Sequence, residues 1–258
     1  MTKKIIKIQS NNKNLEARIW IPENYKNAII ITHSWRNNMD DPICFEAAEA
    51  FYNKNYLVLQ VNLVGHGKSE GKLRDLSYQS MINNINSSFD YIKQNYDFEK
   101  IIGMGISLGS VAIAFSKVNF AAQILLSYNP IINPKYLYER YKIGIHKKEE
   151  ELNKEGFITL NSVTGRGQFE MSKEWSEEMK YQDKEFLQCY IDNPVDTLLV
   201  QGTADHSYNA ERFNNFLKIK KVDHLEIPGA DHNFSNKDHR VFIINQIFEW
   251  LQNILIIK

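Results

Sequence analysis

The chain has little cysteine, no excess charge of either sign and no long hydrophobic run, and each shortage removes a class of protein. Its two cysteines, Cys44 and Cys189, form no CxxC pair. A disulfide-stapled scaffold and a cysteine metal or redox motif are therefore excluded, and a reducing compartment fits. Lysine plus arginine number 31, as do aspartate plus glutamate, so no global field draws nucleic acid, an anionic membrane or a polyacidic substrate. No stretch approaches the roughly 18 apolar residues that cross a bilayer. The opening segment MTKKIIKIQSNNKNLEARIW alternates apolar with polar residues and builds no signal-peptide core. Internal repeats and low-complexity tracts are missing too. The expectation is a cytoplasmic monomer or homodimer, with no nucleic-acid partner and no stable membrane insertion.

What is present suffices for one large core: 258 residues, 43% of them hydrophobic, fit a single domain over 1–258. KKIIKIQS and NLEARIWIP, joined by NNK, read as an opening β-hairpin. Short buried runs follow in NAIIITH, YLVLQVNL and KIIGMGIS, and further strands in AAQILLSYNP, DTLLVQGTAD and DHLEIPGADH. Between them lie helical stretches: DPICFEAAEAFYNKN, the segment Tyr78 to Asn95, LGSVAIAFSKV, and a C-terminal stretch with Val241, Ile244, Phe248, Leu251 and Leu255 at helical spacing. This alternation predicts an α/β fold, a mostly parallel sheet of about eight strands with helices on both faces. Residues from about 131 to 192 break the rhythm. There the run HKKEEELNKE reads as a solvated helix face, and GFITLNSVTGRGQFEMS as two extended pieces around Gly165 and Gly167. GRG lacks the spacing of a phosphate loop. The segment reads as a small lid inserted over the sheet's edge. Tyr136, Tyr138, Tyr141, Phe157, Phe169 and Trp175 are available there to line an apolar pocket, although core or surface packing is the commoner fate of any one aromatic.

Within GMGISLGS, Ser107 is flanked by Gly105 and Gly109. A serine pushed out on a sharp strand-to-helix turn leaves no room for side chains two residues away, and glycine at both positions is the steric answer. The pattern alone is weak; its place between a buried strand and a helix raises it. A serine hydroxyl needs a base, and the base an orienting carboxylate. Asp205 follows the strand TLLVQG and His232 follows HLEIPG, in the chain order this architecture requires. Asp196 starts its strand and Asp192 lies further off; His224, His206 and His239 are likewise poorer bases. The developing oxyanion needs two N–H donors. Leu108 supplies one, and the loop HSWRNNMDD the other, with Trp35 the choice and Ser34 the alternative. Substitution of the Trp35 side chain is expected to report on the acyl pocket. The Asp-His pairs at 205/206, 223/224, 231/232 and 238/239 match no zinc spacing, and adjacent strand residues face opposite ways; no metal and no cofactor is expected.

These residues resemble the α/β-hydrolase superfamily, in particular its small bacterial carboxylesterases and the serine aminopeptidase-like, cinnamoyl-esterase-like branch. The resemblance spans nearly the whole chain and rests on THSW, VNLVGHGKSEG, GMGISLGS, VQGTADHSYNAERF and IPGADHNFS. It implies hydrolysis of short or medium acyl, or aryl, carboxylic esters through an acyl-enzyme, and a structural role for His66. Thioester or peptide cleavage would use the same machinery. A non-catalytic binding protein on this fold would show a broken triad, and this one is complete. The chain departs from the pattern at Ser34 and Ser110, where glycine is usual, and at Ile106 and Gln201, where histidine is usual.

Overall fold

Two asparagines set the first turn. Asn11 and Asn12 both adopt positive φ, 46° and 60°, the conformation whose twist matches that of two paired strands and which asparagine tolerates. β1 (Thr2–Ser10) and β2 (Lys13–Ile21) thus close as the antiparallel hairpin expected. The computed structural model describes residues 2–128, 135–162, 165, 167–181, 195–207 and 221–256, with backbone alone at 135–137, 181 and 256.

The chain then alternates: β3 (Asn27–Thr32), α1 (Pro42–Asn53), β4 (Tyr56–Val61), α2 (Tyr78–Asn95), β5 (Lys100–Ile106), α3 (Leu108–Phe115) and β6 (Ala122–Leu126). Helix α1 begins where Asp41 caps the Ile43 N–H and Pro42 supplies a first residue with no amide hydrogen to satisfy. Helix α2 begins on a reciprocal pair, Ser77 with the Ser80 N–H and Ser80 with the Ser77 N–H. After an insertion come β9 (Thr197–Gly202), β10 (Val222–Ile227) and α7 (Lys237–Ile256).

The main sheet has eight strands in the order β1-β2-β4-β3-β5-β6-β9-β10. Its pairs from β4 onward are parallel, and only those made by β2 are antiparallel. Period-two strand geometry divides the core. Ala28 and Ile30 face α2 and α3, whereas Ile29 and Ile31 face α1 and α7. Each such isoleucine contributes about 1.5–3 kcal/mol by leaving water, so both faces are strongly covered.

Helix α7 packs most of its expected stripe: Ile244 and Leu251 are buried and Phe248 and Leu255 pack against the core, whereas Val241 is 47% exposed and Ile243 and Ile247 complete the inward face. Position 240, one turn before Ile244, is taken by a buried arginine. An apolar period locates a helix but not the edge of the face that packs.

Between β6 and β9 lie α4 (Lys135–Lys147), α5 (Glu149–Glu155), β7 (Phe157–Asn161), β8 (Gln168–Ser172) and α6 (Lys173–Tyr181). β7 and β8 form their own antiparallel pair. The charge run falls on α5, which buries only Leu152. The insertion meets the body at the start of α2. There Glu178 accepts the Tyr78 N–H at 2.5 Å and the Gln79 N–H at 3.2 Å, closing two of the donors a helix start leaves open. Ser77 Oγ donates to Glu174 at 3.1 Å, and Arg74 pairs with Glu170 at 3.3 Å. No helix among the described residues is long and apolar enough to cross a membrane. Cys189, Asp192 and the Tyr136 side chain lie outside the described residues.

Candidate active site

β5 runs directly into α3, and the junction is Ser107 at φ 53° and ψ −112°. A non-glycine residue there stores on the order of 1–3 kcal/mol of backbone strain. Neighbouring bonds offset it. The Ser107 N–H donates to Leu126 O at 2.8 Å, and Ser110 Oγ lies 2.9 Å from both Gly105 O and Leu126 O. Each buried bond contributes about 1 kcal/mol. Ser110 thus stitches the turn to β6, which a glycine there could not do. The flanking glycines are required by space. A Cβ on Gly105 would strike the Gly109 carbonyl, and one on Gly109 would lie 2.6 Å from His33 O. That second approach also brings the loop after β3 against the elbow.

Asp205 and His232 reach the same place from the ends of β9 and β10. His232 Nε2 lies 3.1 Å from Ser107 Oγ, and His232 Nδ1 lies 2.7 Å from Asp205 Oδ2. The Asp205 side chain has no exposure. Its Oδ2 also accepts from Gln201 Nε2 at 2.9 Å, and its Oδ1 from Ser207 N at 2.8 Å and Ser207 Oγ at 2.6 Å. Burial alone would push this carboxyl up, but the hydrogen bonds and charge of His232, with the Ser207 bonds, hold it well below the usual carboxylate range. The acid is therefore ionised, buried and aimed at the imidazole.

Residues the sequence did not single out hold the histidine loop. Ser127, at φ 48°, donates its hydroxyl to His232 O at 2.6 Å. Arg240 donates to Phe234 O and Ser235 O at 3.0 and 2.8 Å and clasps Glu46 of α1 through two bonds of 2.9 and 2.8 Å. Removing Glu46 would strand a guanidinium that is 9% exposed. That costs on the order of 2–3 kcal/mol, less than a fully buried pair because Glu46 itself is partly solvated. None of these carries a local sequence signal; Ser207 does, two residues after the Asp205 it bonds, where a short side chain commonly bonds an aspartate.

The loop after β3 rests on two neutral imidazoles. Burial pushes His33 down to about 3, helped by the neighbouring His66, and burial also lowers His66. His33 Nδ1–H donates to Ser34 O at 2.7 Å while Nε2 accepts the Leu63 N–H at 3.1 Å. His66 repeats the arrangement, donating to Val64 O and accepting the Arg36 N–H, both at 3.0 Å. His66 thus serves backbone, as the resemblance implies. The N–H groups of Leu108, Trp35 and Ser34 have no acceptor among the described residues.

The Trp35 ring turns towards the insertion. It meets Tyr141, Phe169 and Trp175 edge-on, at centroid distances of 6.4, 4.8 and 5.9 Å. Such pairs each contribute about 0.5–1.5 kcal/mol beyond area burial. Tyr141, Phe169 and Trp175 are buried, the first two in contact with each other at 5.1 Å, while Phe157 lies under the Arg74 guanidinium at 4.1 Å and Tyr138 bonds His146.

Of the competing groups, Asp196 falls elsewhere and His206 lies exposed beside the acid. Asp196 precedes β9, at the opposite end of the sheet, and its carbonyl pairs with Gln123 N. His206 is 58% exposed, with Nδ1 3.9 Å from Asp205 Oδ1. Among the described residues no group of three or more His, Cys, Asp or Glu side chains is arranged to hold a metal.

No protein-family model and no curated protein matches the chain. Solved structures do. Est1E from Butyrivibrio proteoclasticus, solved with ferulic acid bound, is similar with a TM-score of 0.76 at 20% identity, over 97% of this chain and 99% of its own. The α/β hydrolase GrgF from Penicillium sp. sh18 gives 0.76 at 16% identity, over 98% and 99%. An esterase of Pyrococcus furiosus gives 0.71 at 18%, over 98% and 91%. The chain has the α/β-hydrolase fold.

Proposed function

We propose that this chain is a serine hydrolase that cleaves carboxylic esters through an acyl-enzyme. The observation that carries the reading is the hydrogen-bonded series from Ser107 Oγ to His232 to buried, ionised Asp205, at 3.1 and 2.7 Å. Ser107 Oγ attacks the ester carbonyl as His232 Nε2 takes its proton. Asp205 holds the Nδ1–H and stabilises the imidazolium so formed. The N–H groups of Leu108 and Trp35, with Ser34 the alternative to Trp35, receive the oxyanion. Collapse breaks the C–O bond to the alcohol, which leaves with the proton from His232. Water then repeats the cycle and frees the acid and Ser107. No cofactor enters any step.

The segment from about 131 to 192 serves as the lid that limits substrate size, in a cytoplasmic protein of one domain. Short or medium acyl and aryl esters are the substrate class. The aryl option draws support from ferulic acid in the Est1E structure. A fluorophosphonate should label the wild type and leave Ser107→Ala unlabelled. The same substitution should lower nitrophenyl-ester turnover by about 10⁴ or more. Labelling that persists in the variant would overturn the nucleophile.

A further inference from the structure

We infer that the Trp35 side chain is a positioning element: the insertion grips the ring and thereby fixes the backbone N–H at position 35 against the reacting oxygen. The inference rests on the ester-hydrolase reading proposed above. It concerns what the ring does for the chemical step.

Trp35 lies in a turn closed by Asn37 N–H to Ser34 O at 3.2 Å, with Arg36 at φ 58°. The body ties this turn down on either side of position 35. His33 takes hold of Ser34 O, and His66 accepts the Arg36 N–H. Residue 35 itself has no such tie: neither its backbone N–H nor its Nε1 has a partner among the described residues. What holds it is the ring, set edge-on to Tyr141 of α4, Phe169 of β8 and Trp175 of α6. Three separate elements of the insertion converge on one side chain of the loop that packs against the elbow at Gly109.

Such a contact acts on the transition state more than on the ground state. An oxyanion donor is worth about 10² to 10³ in turnover, and a displacement of about 1 Å can cost about 10². Substrate binding draws on other surfaces and is largely spared. A ring that merely lined the acyl pocket would behave oppositely, changing KM and the preference among chain lengths. A ring with only a structural role would change stability and the active fraction, and nothing else.

The test uses nitrophenyl esters from acetate to octanoate, with active sites counted by fluorophosphonate titration. Trp35→Ala should lower kcat per active site about 10- to 100-fold, by a similar factor for every ester, with KM within about threefold. Binding of a phenylboronic acid, which presents a tetrahedral oxygen to the same donors, should weaken in parallel. Trp35→Phe keeps an aromatic edge and should recover most of the loss. Phe169→Ala should lower kcat about 3- to 10-fold alone and add little in the Trp35→Ala background. A loss confined to long or bulky esters, unchanged kcat with raised KM, or fully additive Phe169 and Trp35 effects would each overturn the inference. Should Trp35→Ala fail to fold, Trp35→Phe and Phe169→Ala decide by the same criteria. A wild type that is neither labelled at Ser107 nor active sinks the hydrolase reading. A labelled, active wild type with insensitive variants sinks the role of Trp35 alone.

Discussion

At the C-terminal edge of the main sheet Asp205 accepts from Gln201, Ser207 and His232, whereas the insertion meets the body through rings around Trp35 and carboxylates at the start of α2. The first region is a set of short bonds to an ionised, fully covered acid. The second is a packed apolar cluster beside partly solvated charges. Their titrations run in opposite directions. In the body, burial lowers His33 to about 3, and bonding holds Asp205 low. Stability from such depressed groups is present above their ordinary pKa and lost as pH falls. For His33 the window runs from its ordinary value of 6.5 down towards about 3. In the insertion, burial raises Glu178, opposed by the Tyr78 and Gln79 N–H bonds and reinforced by Glu174. Its contribution is present at low pH and lost as pH rises through the docked pKa. Acid should therefore loosen the body around His33 and Asp205 while tightening the contact of the insertion with the start of α2.

The harshest test of that contrast replaces the acid. Asp205→Asn keeps the shape but removes the charge and inverts the tautomer demanded of His232, and nitrophenyl-ester turnover should fall by about 10⁴. A fall below tenfold would mean that the covered carboxylate is not what orients the imidazole. A smaller effect should follow at Gln201, where the usual histidine of the resembled family is missing. Gln201→Leu removes one donor to Asp205 Oδ2 and, with it, about 1.5–3 kcal/mol of a charge-assisted bond. We expect kcat about tenfold lower with KM within about threefold, because a less supported carboxylate orients the His232 imidazole less well. An unchanged kcat would leave Gln201 as packing only.

How much of this was legible in the sequence depends on where each partner sits. The Ser107 turn is written within five residues, and the strand-end positions of Asp205 and His232 follow from local apolar runs. Helix α2 occupies the expected span from Tyr78 to Asn95. Ser127 and Arg240, by contrast, find His232 and Glu46 at separations of 105 and 194 residues, where no local pattern can pair them. The same arginine takes the buried face of α7 beside the exposed Val241: a polar residue there is invisible to an apolar period. The sequence points to Trp35 as a backbone donor with a side chain at the acyl pocket. Its ring partners in the insertion lie more than a hundred residues away along the chain, and only folding shows them.

The gentlest effect should come from Glu178, and it tests the opposite signs directly. Amide exchange at Tyr78 and Gln79 reports whether the Glu178 carboxyl covers these N–H groups. Buried and faced by the Glu174 carboxylate, Glu178 is harder to hold docked once ionised, although the Tyr78 and Gln79 N–H groups and Ser77 favour the charge. After correction for intrinsic rates, protection at these amides should rise as pH falls from neutrality towards the ordinary carboxyl range. Over the same interval the thermal midpoint of the whole protein should drop, because His33 and Asp205 resist protonation in the folded state. Glu178→Gln retains an acceptor but cannot titrate, so protection should change by about 1 kcal/mol or less and lose its pH dependence. Protection that falls together with the thermal midpoint in the wild type would make body and insertion one titrating unit and erase the contrast.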